Sequence, residues 1–277
     1  MYCRDLGVVM VVLFIWIWSL PLLILSALLL TPVSLVLLPI SFAISVLVQR
    51  RCPITPTSSL RCFVSSMRLH HWFPCNTVQL PCQTVVAVHP HGLLCCGALV
   101  GLHFVPGSTT IICVAPALFY IPVLGWCLPL LGCIPADSDS MLAVLRRGHS
   151  LIVVPGGVPE LVLAENGNDC ALYPRYGFLR LARATGVPVM SVFVKGECAT
   201  YSFIRLPLLR WRVGLSWFSN IPLVFPLFRG HYWSWLPKRT PLRLRTHMHE
   251  SVPTRNEYRV RLASLQIAPT IGASRPH

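Results

Sequence analysis

From Leu6 to Val48 the chain carries no charged residue and no histidine. A membrane-crossing helix needs about 20 consecutive apolar residues, so this run is long enough for two crossings, or for one crossing and a re-entrant turn. The apolar region of a signal peptide is much shorter, so the segment is expected to stay in the mature protein. Pro21, Pro32 and Pro39 offer break points, and Thr31–Pro32 is the natural centre of a hairpin. Trp16 and Trp18 lie inside the run and do not mark its ends. A buried pair of core helices is the alternative. Arg50, Arg51 and Arg61 follow directly, and the positive-inside tendency then puts the downstream chain on the cytosolic side. The division expected is a membrane hairpin at 1–50 and one catalytic domain at 51–277.

A hydrophobic content of 54% with only 12% charged residues is too apolar for an ordinary soluble domain. The 23 Lys and Arg outnumber 9 Asp and Glu, a net charge of +14 that favours anionic partners such as lipid headgroups or a polyphosphate ligand. No recognition module or basic-aromatic pattern accompanies that charge, so no nucleic acid is expected as partner. Of the 12 cysteines, Cys95, Cys96, Cys113, Cys127 and Cys133 sit inside apolar runs and read as buried free thiols. With no disulfide-framework spacing, the bulk of the chain is expected in a reducing compartment.

Downstream, strands and helices alternate. Thr84–Val88, Thr109–Val114, Leu151–Val154 and Val187–Val194 read as buried strands, with Cys133–Pro135 a short extended piece. Asp137–Arg147 and Tyr176–Thr185 read as helices, the first capped by Asp137 or Ser138 and the second ended by Gly186. Ala115–Leu131 is apolar, but Pro116, Pro122 and Pro129 argue for a core or interfacial helix rather than a membrane span. Residues 203–237 mix aromatic side chains with arginines, a composition suited to a surface lying on a bilayer. Thr240–Thr246 alternates as an edge strand, and Asn256–Leu265 reads as a short last helix before a disordered tail. The fold class expected is α/β, with a mixed, largely parallel sheet flanked by helices.

The first strand empties into His89-Pro90-His91-Gly92, where α/β folds place binding and catalytic groups. An imidazole titrates near pH 6.5 and does proton chemistry at neutral pH. A structural histidine is the plain alternative. A metal site would need further ligands at suitable spacing, and Cys95–Cys96 lack the C-x-x-C geometry, so no metal is expected.

These blocks together resemble a known family. His89–Gly92 is similar to the H-P-H-G motif of the type 2 diacylglycerol acyltransferases, a group that includes monoacylglycerol and wax-alcohol acyltransferases within the glycerolipid acyltransferase superfamily. Trp72-Phe73-Pro74 resembles the segment preceding that motif, and Val154–Glu160 (V-P-G-G-V-P-E) its glycine-pair block with closing glutamate. Arg175-Tyr176-Gly177-Phe178 and the strand running into Gly196-Glu197 resemble two later blocks. The family's late Gly-Glu-Pro is absent, and Thr246–Glu250 reads T-H-M-H-E instead. The resemblance implies an endoplasmic-reticulum membrane enzyme whose catalytic domain faces the cytosol. It implies acyl-CoA as co-substrate, a neutral lipid acceptor such as diacylglycerol, and no separate cofactor. Self-association with a second copy is a further candidate contact.

Moving an acyl group from a thioester to an alcohol needs a base, donors for the developing oxyanion, and exclusion of water. The resemblance points to His91 as the base, with His89 positional or hydrogen-bonding. The superfamily's orienting aspartate would fall at Cys96, so the carboxylate must come from elsewhere; Glu160 is the candidate, although a glutamate also suits a helix start. Backbone N–H groups of Gly92, Gly156 or Gly157 are candidates for the oxyanion site, and Arg175, Arg180 and Arg183 for the phosphates of coenzyme A. Monoacylglycerol, wax-alcohol or lysophospholipid acceptors, and a non-catalytic lipid-binding protein, are the alternatives.

Overall fold

A computed structural model of the chain describes residues 69–105, 108–121, 124–157, 160, 175–204, 227–231 and 237–267, with 63–65 and a few single positions before them. Nearly all of the hairpin expected at 1–50, most of 203–237 and the tail beyond 267 lie outside the described residues. Among those residues no helix is long and apolar enough to cross a membrane.

Val85–His89 forms β1 and sits near the centre of a six-stranded sheet. It pairs in parallel with β4 (Ser150–Val153) on one side and β5 (Val189–Lys195) on the other. β2 (Thr110–Val114) joins β4, and β3 (Cys133–Pro135) closes that end, both parallel. At the opposite edge β8 (Arg243–Met248) runs antiparallel to β5, giving the order β3-β2-β4-β1-β5-β8. β6 (Ser202–Ile204) and β7 (Leu227–Arg229) make a separate two-stranded ribbon. The expected mixed, largely parallel α/β sheet is what forms.

Strand side chains alternate between faces, and here both faces are covered. Val85 and Ala87 of β1 pack with Ile111, Leu151 and Val189 into one core layer, beneath α3 (Ser138–Arg146), α4 (Gly177–Thr185) and α5 (Arg255–Ile267). Val86 and Val88 point the other way, onto Ala98 of the short α1 (Cys96–Ala98), Leu102 of the π-helical turn that continues it, and Leu124 and Leu128 of α2 (Leu124–Leu130). Each such aliphatic side chain contributes roughly 1.5–3 kcal/mol when taken out of water. This explains why the strands read as unbroken apolar runs instead of alternating ones.

Helix ends follow local chemistry. Asp137 caps α3, its Oδ1 accepting from the Ser140 N–H at 2.9 Å. Gly186 ends α4 at φ 69°. Thr254 and Glu257 form a reciprocal capping box before α5 (Thr254 N to Glu257 Oε2, 2.7 Å), so that helix starts one residue earlier than expected. Ala115–Leu131 divides into a 3₁₀ turn at Pro116–Tyr120 and α2, with Pro129 in its last turn.

The edge strand is displaced from Thr240–Thr246 to Arg243–Met248. Leu242 instead bonds back to Pro74, its N–H reaching the Pro74 carbonyl at 2.8 Å. Asn76 then clamps Leu244 from both sides, donating Nδ2 to its carbonyl (3.0 Å) and accepting its N–H at Oδ1 (2.8 Å). The segment around Trp72-Phe73-Pro74 therefore covers the open edge of the sheet, with Phe73 buried and the Trp72 indole donating to the Pro237 carbonyl at 3.0 Å.

Candidate active site

β1 delivers His89 at its C-terminal end on the same face as Val85 and Ala87, so the ring enters the layer occupied by α5. It has no solvent exposure. Nδ1 lies 3.0 Å from Glu160 Oε1, and Nε2 lies 3.0 Å from the Tyr258 hydroxyl of α5. The second Glu160 oxygen accepts the backbone N–H of His91, also at 3.0 Å. Glu160 is itself buried, and Gly156 makes room for it: a Cβ on Gly156 would stand 1.7 Å from the Glu160 carboxyl carbon.

His91 is half-buried at the loop tip. Its Nδ1 is 2.8 Å from the Gly92 carbonyl, which can only accept, so the proton sits on Nδ1 and the neutral ring carries its lone pair on Nε2. Nε2 makes no hydrogen bond to any described residue. Desolvation holds the His91 pKa below the ordinary imidazole value, partly opposed by the Gly92 carbonyl and Glu160. A neutral imidazole with one nitrogen tied to the backbone and the other unengaged is chemically a proton acceptor.

The carboxylate arrangement corrects the expectation for Glu160. It orients the His89 ring and the His91 backbone, not the His91 imidazole, which the Gly92 carbonyl orients. A second carboxylate, to which the sequence alone assigned no role in the site, follows the end of β5. Buried Glu197 accepts the N–H groups of Cys96 (Oε1, 2.7 Å) and Gly97 (Oε2, 2.8 Å) at the start of α1. It lies against Gly92, where φ is 54° and any Cβ would come within 2.6 Å of Glu197 Cγ. The signal was present: Glu197 stands two residues past the end of a buried strand in a chain with nine acidic residues.

The fold thus brings His89, His91, Gly92, Gly156 and Glu160 together, with Gly157 (φ 56°) beside them on the glycine turn. Arg175 joins the rim through its backbone N–H, 3.0 Å from the Pro155 carbonyl. Arg180 and Arg183 stand on the exposed face of α4, which runs back toward the N-terminal ends of the strands; at 1.5 Å per residue Arg183 lies about 9 Å farther along the axis than Gly177. The structure does not gather those two at the loop. The thiol Sγ of Cys95 donates to the His91 carbonyl at 2.8 Å. Burial raises the thiol pKa of Cys95 and Cys96 well above the ordinary value, which disfavours either as a nucleophile. Among the described residues, no group of three or more His, Cys, Asp or Glu side chains is placed to hold a metal ion.

Comparison with known proteins adds three findings. The family model described as diacylglycerol acyltransferase matches residues 30–252. A 2-acylglycerol O-acyltransferase 3 from Homo sapiens is 27% identical over 63% of this chain and 59% of its own length. A diacylglycerol O-acyltransferase 1 from Schizosaccharomyces pombe is 30% identical over 46% of this chain and 41% of its own. The chain spans about half the length of these curated relatives. A crystal structure of the 1-acyl-sn-glycerophosphate acyltransferase PlsC from Thermotoga maritima aligns over 83% of this chain and 93% of that one, with 17% identity and a TM-score of 0.44.

Proposed function

Because the chain belongs to the diacylglycerol acyltransferase family, we propose that it transfers a fatty acyl group from acyl-CoA to the hydroxyl of diacylglycerol, with His91 as general base. The observation that carries this reading is the His91 ring itself, with Nδ1 tied to the Gly92 carbonyl, Nε2 unengaged, and a pKa held low enough to keep it neutral. Nε2 takes the proton of the acceptor hydroxyl as its oxygen attacks the thioester carbonyl. The tetrahedral oxyanion is met by backbone N–H groups at Gly92 or the Gly156–Gly157 turn. Collapse breaks the carbon–sulfur bond, and the leaving thiolate recovers the proton from Nε2 as coenzyme A.

His89 and Glu160 hold the loop from behind and do not touch substrate, since both are buried. Arg175, whose backbone N–H bonds the Pro155 carbonyl beside the glycine turn, is assigned to a phosphate of coenzyme A. The apolar run Leu6–Val48 and the net charge of +14 support work at a membrane surface, Arg50, Arg51 and Arg61 favour its cytosolic face, and the family resemblance implies the endoplasmic reticulum. A monoacylglycerol acceptor is the second reading, favoured by the 2-acylglycerol specificity in the human relative's name.

Membranes containing the full chain, given labelled acyl-CoA and a panel of diacylglycerol, monoacylglycerol, wax-alcohol and lysophospholipid acceptors, test this directly. Labelled triacylglycerol is expected. Product from another acceptor alone reassigns the substrate, and no transfer to any acceptor refutes acyl transfer.

A further inference from the structure

Three polar side chains that the chemistry above does not use stand behind His89: Tyr258 of α5, Ser191 of β5 and His249 just past β8. The Tyr258 side chain has no solvent exposure, although it belongs to a helix whose other residues are largely polar. Its hydroxyl lies 3.0 Å from His89 Nε2. Ser191 Oγ is 2.8 Å from His249 Nε2, and the His249 ring stacks on Tyr258 with centroids 6.0 Å apart and planes 25° off parallel. Ser191 faces this layer for the reason that His89 does. It falls at an odd position of β5, between Val189 and Phe193, which pack there too.

Proton positions along this row are constrained by what each group can give. If His89 donates Nδ1–H to Glu160, its Nε2 must accept, so the Tyr258 hydroxyl donates to it. Ser191 Oγ and His249 Nε2 form a separate pair, and the His249 ring stacks on Tyr258. The Tyr258–His89 and His89–Glu160 bonds then point the same way and end on a carboxylate, an arrangement in which successive hydrogen bonds reinforce one another. The other end of that carboxylate holds the His91 backbone N–H. His249 belongs to the T-H-M-H-E stretch in which this chain departs from the family's late Gly-Glu-Pro.

We propose that Tyr258 is a positioning residue for acyl transfer: with the His249 ring stacked on it, its hydroxyl completes a polarised row that fixes His89 and Glu160 and through them the aim of His91. This rests on the reading of His91 as the base. The row touches neither substrate, so it acts on the chemical step and not on substrate binding.

The test compares wild type with Tyr258→Phe, which removes one oxygen and keeps the buried ring, in membranes containing the full chain supplied with long-chain acyl-CoA and diacylglycerol. The expected result is a fall in kcat of about tenfold, equivalent to one hydrogen bond of about 1.4 kcal/mol, with KM for both substrates unchanged. In a His89→Gln background the same change should add nothing, because both act through one ring. Wild-type kcat in Tyr258→Phe, or a further tenfold loss in the His89→Gln background, overturns the proposal. Should Tyr258→Phe fail to accumulate, His249→Gln, which removes the ring stacked on Tyr258, is read the same way: a lowered kcat at constant KM supports the proposal, and an unchanged kcat overturns it. Absence of transfer by the wild type with every acceptor would refute the reading of the site, and this inference with it.

Discussion

Gly156→Ala isolates the packing beneath the Glu160 carboxylate. Gly156 does not occupy the left-handed backbone region, so alanine carries no conformational penalty there and the cost is steric. The new methyl would lie 1.7 Å from Glu160 Cδ, 1.9 Å from Oε2 and 2.2 Å from Oε1. Ordinary contact begins near 3.4 Å, so the carboxylate must retreat by well over an ångström. Its two hydrogen bonds, to His89 Nδ1 and the His91 N–H, are each 3.0 Å and cannot both survive that shift. Stripping a buried carboxylate of its partners costs about 3–5 kcal/mol. In a domain of this size that corresponds to a fall in Tm of roughly 6–20 °C, at about 2–4 °C per kcal/mol. Acyl transfer should fall by about 10² or more, because the loop carrying His91 loses its anchor. Thermal unfolding of the detergent-solubilised full chain, paired with transfer assays, reads both. Gly177→Ala is the control, since a Cβ there meets nothing within 4 Å. A Gly156→Ala protein with the Tm and activity of wild type would refute the argument that this glycine exists to admit Glu160.

Two further outcomes follow from the same geometry. Glu197→Gln leaves one of the Cys96 and Gly97 N–H groups facing an amide N–H, so stability should fall by about 1–3 kcal/mol, measured by chemical denaturation of the full chain. The pH profile of kcat/KM reports His91 in the free enzyme. Its pKa lies below the ordinary imidazole value of about 6.5, so the base form persists as pH falls to that point, and activity should be lost only on further acidification. An acid limb with its midpoint above about pH 7 would contradict a desolvated, neutral His91.

How much of this was legible beforehand depends on sequence distance. Val85–His89 and Thr110–Val114 could be read within one residue because strands buried on both faces are continuous apolar runs, and a proline or glycine marks where each one empties. The H-P-H-G loop and the P-G-G turn were legible as strand-end loops, and the fold does bring them together. Their pairing was not. Which histidine Glu160 would hold depends on which face of β1 each ring leaves from, and His89, one step past Val88, turns inward toward α5. Glu197 and Tyr258 lie 101 and 169 residues from the groups they bond, Cys96 and His89, and no local pattern encodes contacts at that range. The edge strand slipped in register because Leu242 is taken up by the Pro74 carbonyl, another contact invisible to alternation.

The central claim is that His91 Nε2 takes the proton from the acceptor alcohol. Single-turnover transfer by membranes carrying wild type or His91→Ala, supplied with labelled acyl-CoA and diacylglycerol, tests it most directly. The account predicts a rate lower by about 10²–10⁴ in His91→Ala, with the protein still membrane-bound at wild-type level. Transfer by His91→Ala at the wild-type rate would contradict it.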